Sequence, residues 1–383
     1  MIYLDNAATT YPKPERVYSF MDEFYRKHGV NTGRSKYSEA SIATNIVKDT
    51  RKDLLKLFNA SIDRSVVFTS SATEALNIIL QGLNWKEGQT VYITQFEHNS
   101  VVRVLHIMKQ IYKLNINYIS TDKNSLSYDI EKIKYQFQDN KPDVVIMTHA
   151  SNVCGLITPI AEISELAKKY EATIVVDAAQ TAGLLSINVA DDNIDYLVFA
   201  GHKTLYAAFG VAGFVTRNSS SLKPLLYGGT GIDSANVELP NTIPEKFEVG
   251  SLNIQAISSL YEALKWINEI RQDSLLKKEI EYTKKIVECL NQYDNIRTYI
   301  SEDHTKHIGV ISCTFTGFDS SDIGRILDEQ GISVRTGLHC APNAHVFLGT
   351  FPSGTVRFSI GYFNTINDIK MLDEALRYIS DNS

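Results

Sequence analysis

Between residues 66 and 216 short β-branched runs alternate with amphipathic stretches, and this alternation restricts the fold more than any other feature of the 383-residue chain. The runs Ser65-Val66-Val67-Phe68-Thr69, Thr90-Val91-Tyr92-Ile93-Thr94, Val144-Val145-Ile146-Met147-Thr148, Thr173-Ile174-Val175-Val176-Asp177 and Tyr196-Leu197-Val198-Phe199 are almost continuously apolar. A strand covered on one face alternates apolar with polar residues. Continuous apolar runs are expected when helices cover both faces of a parallel sheet. Residues 100–111 and 160–170 carry the helical pattern between them, the second announced by Pro159. The reading is an α/β fold, in which ligands gather beyond the carboxyl ends of the strands.

Residues 228–253 are rich in Gly, Pro and Asn without a clear period and read as a long functional loop. Amphipathic helices follow near 254–271 and 274–292. The segment 307–383 reads as a smaller α+β unit, with strands at 308–316, 332–335 and 355–360 and helices at 321–330 and 366–379. Composition removes several function classes. Lys and Arg total 38 against 44 Asp and Glu, a net charge of −6, which gives no electrostatic footprint for nucleic acid. No apolar run approaches the roughly 18 residues of a membrane span, and the start Met1-Ile2-Tyr3-Leu4-Asp5 has no secretory pattern. Four cysteines in a chain this long do not make a disulfide framework. A reduced, cytoplasmic protein is expected.

Three strand ends carry residues with chemical potential. Ser71-Ala72-Thr73-Glu74 has capping-box spacing directly after a buried run. It is an ordinary helix cap or, with its free N–H groups and positive dipole end, a phosphate seat. Asp177 ends another core run; it is either a turn former or a partner for a buried heterocyclic nitrogen. Lys203, in Gly201-His202-Lys203 after the next strand, is either a surface lysine or an imine-forming amine. One cofactor uses a phosphate seat, an acid for a pyridinium and an imine-forming lysine together: pyridoxal 5′-phosphate. His98, after the strand 90–94, falls at the same edge and reads as a capping histidine or a ring-stacking one.

A second cluster is Arg335-Thr336-Gly337-Leu338-His339-Cys340-Ala341-Pro342. Cys154, Cys289 and Cys313 lie in or beside apolar segments and read as small hydrophobes. Cys340 instead sits in a Gly/Pro-punctuated loop near Arg335 and His339, where a positive neighbourhood favours the nucleophilic thiolate. One Cys beside one His is a poor zinc signature, so no metal is expected. Arg357 lies in an apolar run and needs an anion, either a structural acid or a substrate carboxylate.

The chain resembles the cysteine desulfurases of the class V aminotransferase-like enzymes. The resemblance rests on Tyr3-Leu4-Asp5-Asn6-Ala7-Ala8-Thr9-Thr10, Ser71-Ala72-Thr73-Glu74-Ala75, Glu97-His98-Asn99-Ser100, Val176-Asp177-Ala178-Ala179-Gln180, Gly201-His202-Lys203 and the Cys340 segment, all in the family's order. The Cys340 segment is similar to the group with a short Arg-Thr-Gly-x-His-Cys loop. The resemblance implies an aspartate-aminotransferase-like fold, with a large cofactor domain over 15–253 and a small domain over 254–383 joined by residues 1–14. It implies that Lys203 binds the cofactor aldehyde, Asp177 pairs its ring nitrogen, Gln180 touches its hydroxyl and His98 stacks on the ring and moves protons. Ala72, Thr73 and His202 would hold the phosphate, Asn152 would lie against the cofactor, and Ser251 would reach the phosphate site of a partner subunit in a homodimer. Arg357, Arg335 and Asn31 would bind substrate, and Cys340 would accept sulfur as a persulfide.

The implied reaction converts L-cysteine to L-alanine and passes sulfur to an acceptor protein, as in iron–sulfur cluster assembly. A selenocysteine lyase, or a partner or sensor protein on the same fold, are the rival readings. Three positions depart from the family pattern: Ala200 replaces a Ser or Thr, Tyr206-Ala207-Ala208-Phe209 replaces a Gly-Pro segment, and Leu338 stands where His is frequent. The missing hydroxyl at 200 removes one charge-assisted hydrogen bond, worth roughly 1.5–3 kcal/mol.

Overall fold

The computed structural model describes residues 1–32, 37–232, 235–301 and 303–381. Its central sheet has seven strands in the order Arg64–Thr69, Ala212–Arg217, Tyr196–Ala200, Thr173–Asp177, Val144–Thr148, Thr90–Ile93 and Asn115–Tyr118. Ala212–Arg217 is antiparallel to both its neighbours, and the other pairings are parallel, so six strands run one way. The five runs read from the sequence are all here. Two strands escaped that reading. Asn115–Tyr118 is a short, partly exposed edge strand carrying two Asn, and Ala212–Arg217 opens on Ala-Gly without a β-branched signature.

The continuous apolar runs have the reason anticipated for them. Successive residues point to opposite faces, and both faces are covered. Val145, Met147, Ile174 and Val176 pack into one core with the helices Ser38–Leu57, Ile160–Lys168 and Ile254–Ile270. Val144, Ile146, Val175 and Val198 pack into the other with the helices Ala72–Gly82 and Asn99–Tyr112. No helix among the described residues is long and apolar enough to cross a membrane.

A four-stranded sheet follows, in the order Ile296–Tyr299, Val310–Phe315, Thr355–Ser359 and Arg335–Gly337, every pairing antiparallel. Its core draws on the helices Gln272–Leu290, Ser320–Glu329 and Ile366–Asp381 together with Ile2 and Leu4. Ile2–Tyr3 pairs in parallel with Ile332–Ser333, and Asp5 bridges to Ser359, so the N-terminal segment is laced into this second sheet. The helix Ile254–Ile270 packs on Glu15–His28 and Ser38–Leu57 and shares their core. We therefore propose a domain boundary near Arg271 in place of residue 254. The described part of 228–253 holds no helix or strand.

One ion pair fixes the end of that long loop. The Arg51 guanidinium donates to both Glu248 oxygens at 2.8 and 2.6 Å, and Glu248 also accepts the Phe68 N–H at 2.6 Å. Glu248 is buried, so losing Arg51 leaves a carboxylate with little water. Arg51→Leu is expected to lower unfolding stability by roughly 1.5–3 kcal/mol in urea denaturation; a midpoint equal to that of the parent chain would contradict this account.

Candidate active site

Because six strands run the same way, the loops after five of them open on one edge of the sheet, and a cavity of about 230 Å³ lies there. Ala72 and Thr73 line it from the first helix after Arg64–Thr69, and His98 from the loop after Thr90–Ile93. Asn152, Asp177, Gln180, His202 and Lys203 come from the next three loops, and Arg335 and Arg357 from the second sheet. A wider cleft of about 560 Å³ beside Asp53 and Arg271 is lined mainly by helix surfaces and gathers no such set.

Two elements of the phosphate seat are visible. Ser71 Oγ accepts the Glu74 N–H at 3.2 Å, and Glu74 reaches back to the Ser70 N–H at 2.8 Å rather than to that of Ser71. The helix thus begins at Ala72, whose N–H and that of Thr73 have no intrahelical acceptor. His202 also faces the cavity. Burial first, then the charges of Lys203 and Lys13, hold its imidazole down to about 3, so it is neutral. Its Nδ1 is buried without a partner, and its ring stacks on Phe209 at 4.5 Å. Ala200 lines the same wall, so the hydroxyl that it lacks would have pointed at this site.

Asp177 and Lys203 share the cavity. Asp177 is buried and accepts the Ala179 N–H at 2.9 Å. Burial raises its pKa, opposed by that N–H and by the Lys203 charge. Burial lowers the Lys203 amine to about 8; Asp177 opposes this, while Arg357 and Arg335 reinforce it. An amine near neutrality is a better nucleophile than an ordinary lysine. His98 Nδ1 accepts the Ser100 N–H at 3.1 Å and caps the helix, and His98 also lines the cavity. Burial, then Lys203, Arg335 and Arg103, lower it to about 4. With Nδ1 an acceptor in this network, the proton sits on Nε2.

The second sheet brings the anion-binding groups. Arg357, 1% exposed, donates to Asp5 at 2.5 Å and to the Asn152 carbonyl at 3.0 Å, and its buried Nε has no partner. The structural acid is therefore real, and the guanidinium still has capacity for a ligand in the cavity. Asp5 lies in the opening motif, and no spacing rule connects residues 5 and 357. Asn152 donates to the His339 carbonyl at 2.7 Å, and Gln180 donates to the Ala7 carbonyl at 2.9 Å.

Cys340 stands outside the first cavity and lines a second, about 790 Å³, with Arg335 and His339 common to both. Arg335 donates to Cys340 Sγ at 3.2 Å. Both His339 and Cys340 adopt left-handed φ, 48° and 58°. Their carbonyls are held by Asn152 and by the Asn99 N–H at 2.7 Å, which fixes this uncommon backbone. His339 does not activate the thiol. It is buried against Thr355 at 2.9 Å, and burial, then the charge of Arg357, hold it down to about 2, so it carries no charge to offer. Asn31 is exposed beyond the helix Glu15–His28 and does not line the cavity, and Ser251, expected at a partner's site, is exposed and lines a pocket beside Phe68 and Glu248. No group of three metal ligands occurs among the described residues.

The family model for aminotransferase class-V matches residues 2–372. The chain belongs to that family. It is 33% identical over 387 residues to a probable cysteine desulfurase of Methanothermobacter thermautotrophicus, covering 99% of this chain and 94% of the relative. A probable cysteine desulfurase of Pyrococcus abyssi is 30% identical, with 97% and 92% covered. The apo structure of cysteine desulfurase from Thermococcus onnurineus superposes with a TM-score of 0.93 at 28% identity, covering 100% of this chain and 95% of that one. The family's members are pyridoxal phosphate enzymes, and this cavity fits such a group. It supplies the lysine, the acid, the helix start and three lining residues with a buried nitrogen that has no partner, His202, His339 and Arg357.

Glu97, beside His98, was not assigned any chemistry. It is fully buried, accepting Thr94 Oγ1 at 2.7 Å and the Thr148 N–H at 2.8 Å, and Thr148 is the register neighbour of Asp177. Burial pushes it up to about 8, so it is protonated when folded and ionised when unfolded between roughly pH 4.5 and 8. The unfolded state then binds fewer protons, and this residue's contribution falls as pH rises through that window. Glu97→Gln should gain stability relative to the parent chain from pH 5 to pH 8, by up to about 1.4 kcal/mol per unit. Parallel curves from denaturation across that range would contradict it.

Proposed function

We propose that the protein is a pyridoxal-phosphate-dependent cysteine desulfurase, on the observation that Lys203 and Asp177 meet in one cavity whose far wall, Arg335, touches the Cys340 sulfur. When bound, the cofactor supplies an electron sink for the pair of electrons released at the substrate Cα. Asp177 would pair the ring nitrogen and keep it protonated through its charge. The Ala72 and Thr73 N–H groups and His202 would hold the phosphate, Gln180 would touch the ring hydroxyl, and Asn152 and the neutral His98 ring would lie against the ring. Arg357 holds the substrate carboxylate with the donors that Asp5 and Asn152 leave over, and Arg335 adds a second positive charge. Lys203, its amine brought down to about 8 by burial, would hold the cofactor aldehyde and move the proton at Cα.

Cys340 then attacks the substrate sulfur as thiolate. An S–S bond forms and the substrate Cβ–S bond breaks, its electron pair passing to the carbon fragment, which takes up protons and leaves as alanine. Cys340 is left as a persulfide for an acceptor, such as a protein of iron–sulfur cluster assembly. All four cysteines are free, which suits a reducing, cytoplasmic setting. The exposed Ser251, absent from its own chain's cavity, is in keeping with a role in a second subunit of a homodimer.

Incubation with L-cysteine is expected to yield alanine and to add one sulfur, about 32 Da, at Cys340 by mass spectrometry. Lys203→Ala should lose the visible absorbance of the bound cofactor and all alanine formation; Cys340→Ala should keep the absorbance and lose the added mass. A colourless protein that pyridoxal phosphate cannot reconstitute would instead support a partner or sensor, and turnover confined to selenocysteine would support a lyase. Arg357→Lys keeps the charge but not the forked geometry, so kcat/KM for cysteine should fall about 10- to 100-fold with KM carrying most of the change. An unchanged KM would remove Arg357 from substrate binding.

A further inference from the structure

Lys13 is a buried amine that the reaction just described does not use. It sits in the turn Tyr11-Pro12-Lys13-Pro14, 8% exposed, and does not line the cavity. Its ammonium spends its three protons on neutral oxygens: the His202 carbonyl at 2.5 Å, Thr10 Oγ1 at 2.7 Å and Thr9 Oγ1 at 3.4 Å. Among the described residues no carboxylate pairs with it. Burying an ammonium without an anion is costly, and a fold keeps such an arrangement only where something offsets it.

The oxygens that Lys13 holds identify the beneficiary. Thr9 Oγ1 donates to the His202 carbonyl at 2.9 Å, Thr10 Oγ1 donates to the Lys203 carbonyl at 2.9 Å, and the Thr10 N–H donates to the His202 carbonyl at 3.2 Å. The backbone of both cavity-facing residues is therefore gripped from behind by one turn with Lys13 at its centre. His202 lines the cavity, its Nδ1 is buried without a partner, and its carbonyl is held by the Lys13 amine.

We infer that Lys13 is a positioning residue for the His202-Lys203 loop, and that its charge is balanced by the cofactor's phosphate across that loop rather than by any acid of the chain. This rests on the pyridoxal phosphate reading and adds to it a residue outside the cavity. Burial lowers the Lys13 amine to about 7. A phosphate arriving nearby stabilises the charged form, so binding takes up a proton at Lys13 and weakens as pH rises through the range just above 7. The titratable groups around Lys13 are His202, already neutral, Lys203 on the same loop, and the Tyr18 hydroxyl that accepts the Lys13 backbone N–H at 3.0 Å. Proton changes at Lys203 occur in parent and variant alike and cancel in their difference.

The test is calorimetric titration of pyridoxal phosphate into the full-length, cofactor-stripped protein at pH 7.5, in two buffers of different ionisation heat. Lys13→Met and Lys13→Gln, the latter keeping a donor without the charge, are compared with the parent chain. The expected result is affinity about tenfold lower in each, one pKa unit of lost linkage, and a smaller proton uptake than in the parent. Equal affinity and equal uptake would overturn the inference while leaving the cofactor reading intact. A parent chain that binds no pyridoxal phosphate would overturn both. Should circular dichroism find neither variant folded, carbon-13 NMR of labelled lysines in the parent chain decides. A Lys13 midpoint that rises on cofactor binding supports the inference, and one that stays put refutes it.

Discussion

Parallel strand direction is the constraint from which the site follows. Six strands of the seven-stranded sheet run one way, so the residues that end them meet at one edge although they are scattered from Thr69 to Ala200 in the chain. Neighbouring register does the fine placement: Thr148 stands beside Asp177, and Asp177 beside Val198, two residues short of the turn into Gly201-His202-Lys203. A strand slipped by one residue would turn Asp177 into the wrong core. The apolar filling of both faces, from Val144 to Val198, is therefore what keeps the chemistry in register.

Desolvation then sorts the charges. His98, His202 and His339 are all driven neutral by burial, while Lys203, Arg335 and Arg357 stand round the cavity with Asp177 facing them and Asp5 behind Arg357. The balance is cationic in a chain whose net charge is negative. Such a site suits a ligand with a phosphate at one end and a carboxylate at the other. The same burial makes each cation's desolvation depend on those anions arriving.

Most of this architecture was legible because it follows local rules. Continuous apolar runs announced a doubly covered sheet, and the residues ending them, Asp177 and Lys203, took their meaning from that position. The edge strand Asn115–Tyr118 was illegible because its composition answers to partial exposure. The packing of the helix Ile254–Ile270 on Glu15–His28 and Ser38–Leu57 was not legible, since periodicity reveals an apolar face but not what covers it. The pairing of Asp5 with Arg357, the grip of Lys13 on the His202 carbonyl and the burial of His339 are tertiary facts. His339 is instructive: beside a cysteine in sequence it promised a charge, yet its ring turns to Thr355 and stays neutral. Ser251 and Asn31 were carried by resemblance alone, and neither reaches the cavity of its own chain.

The lacing of the N-terminal segment into the second sheet bears on how the molecule is made. Asp5 emerges from the ribosome 352 residues ahead of the arginine it will hold, and Asn6 must wait as long for the Ser359 carbonyl. Until then Ile2 and Leu4 lack the core that later buries them. Contacts of such separation form late and slowly. The nascent chain can thus shape its larger sheet early, while the arginine end of the pocket stays unassembled until Arg357 has been made.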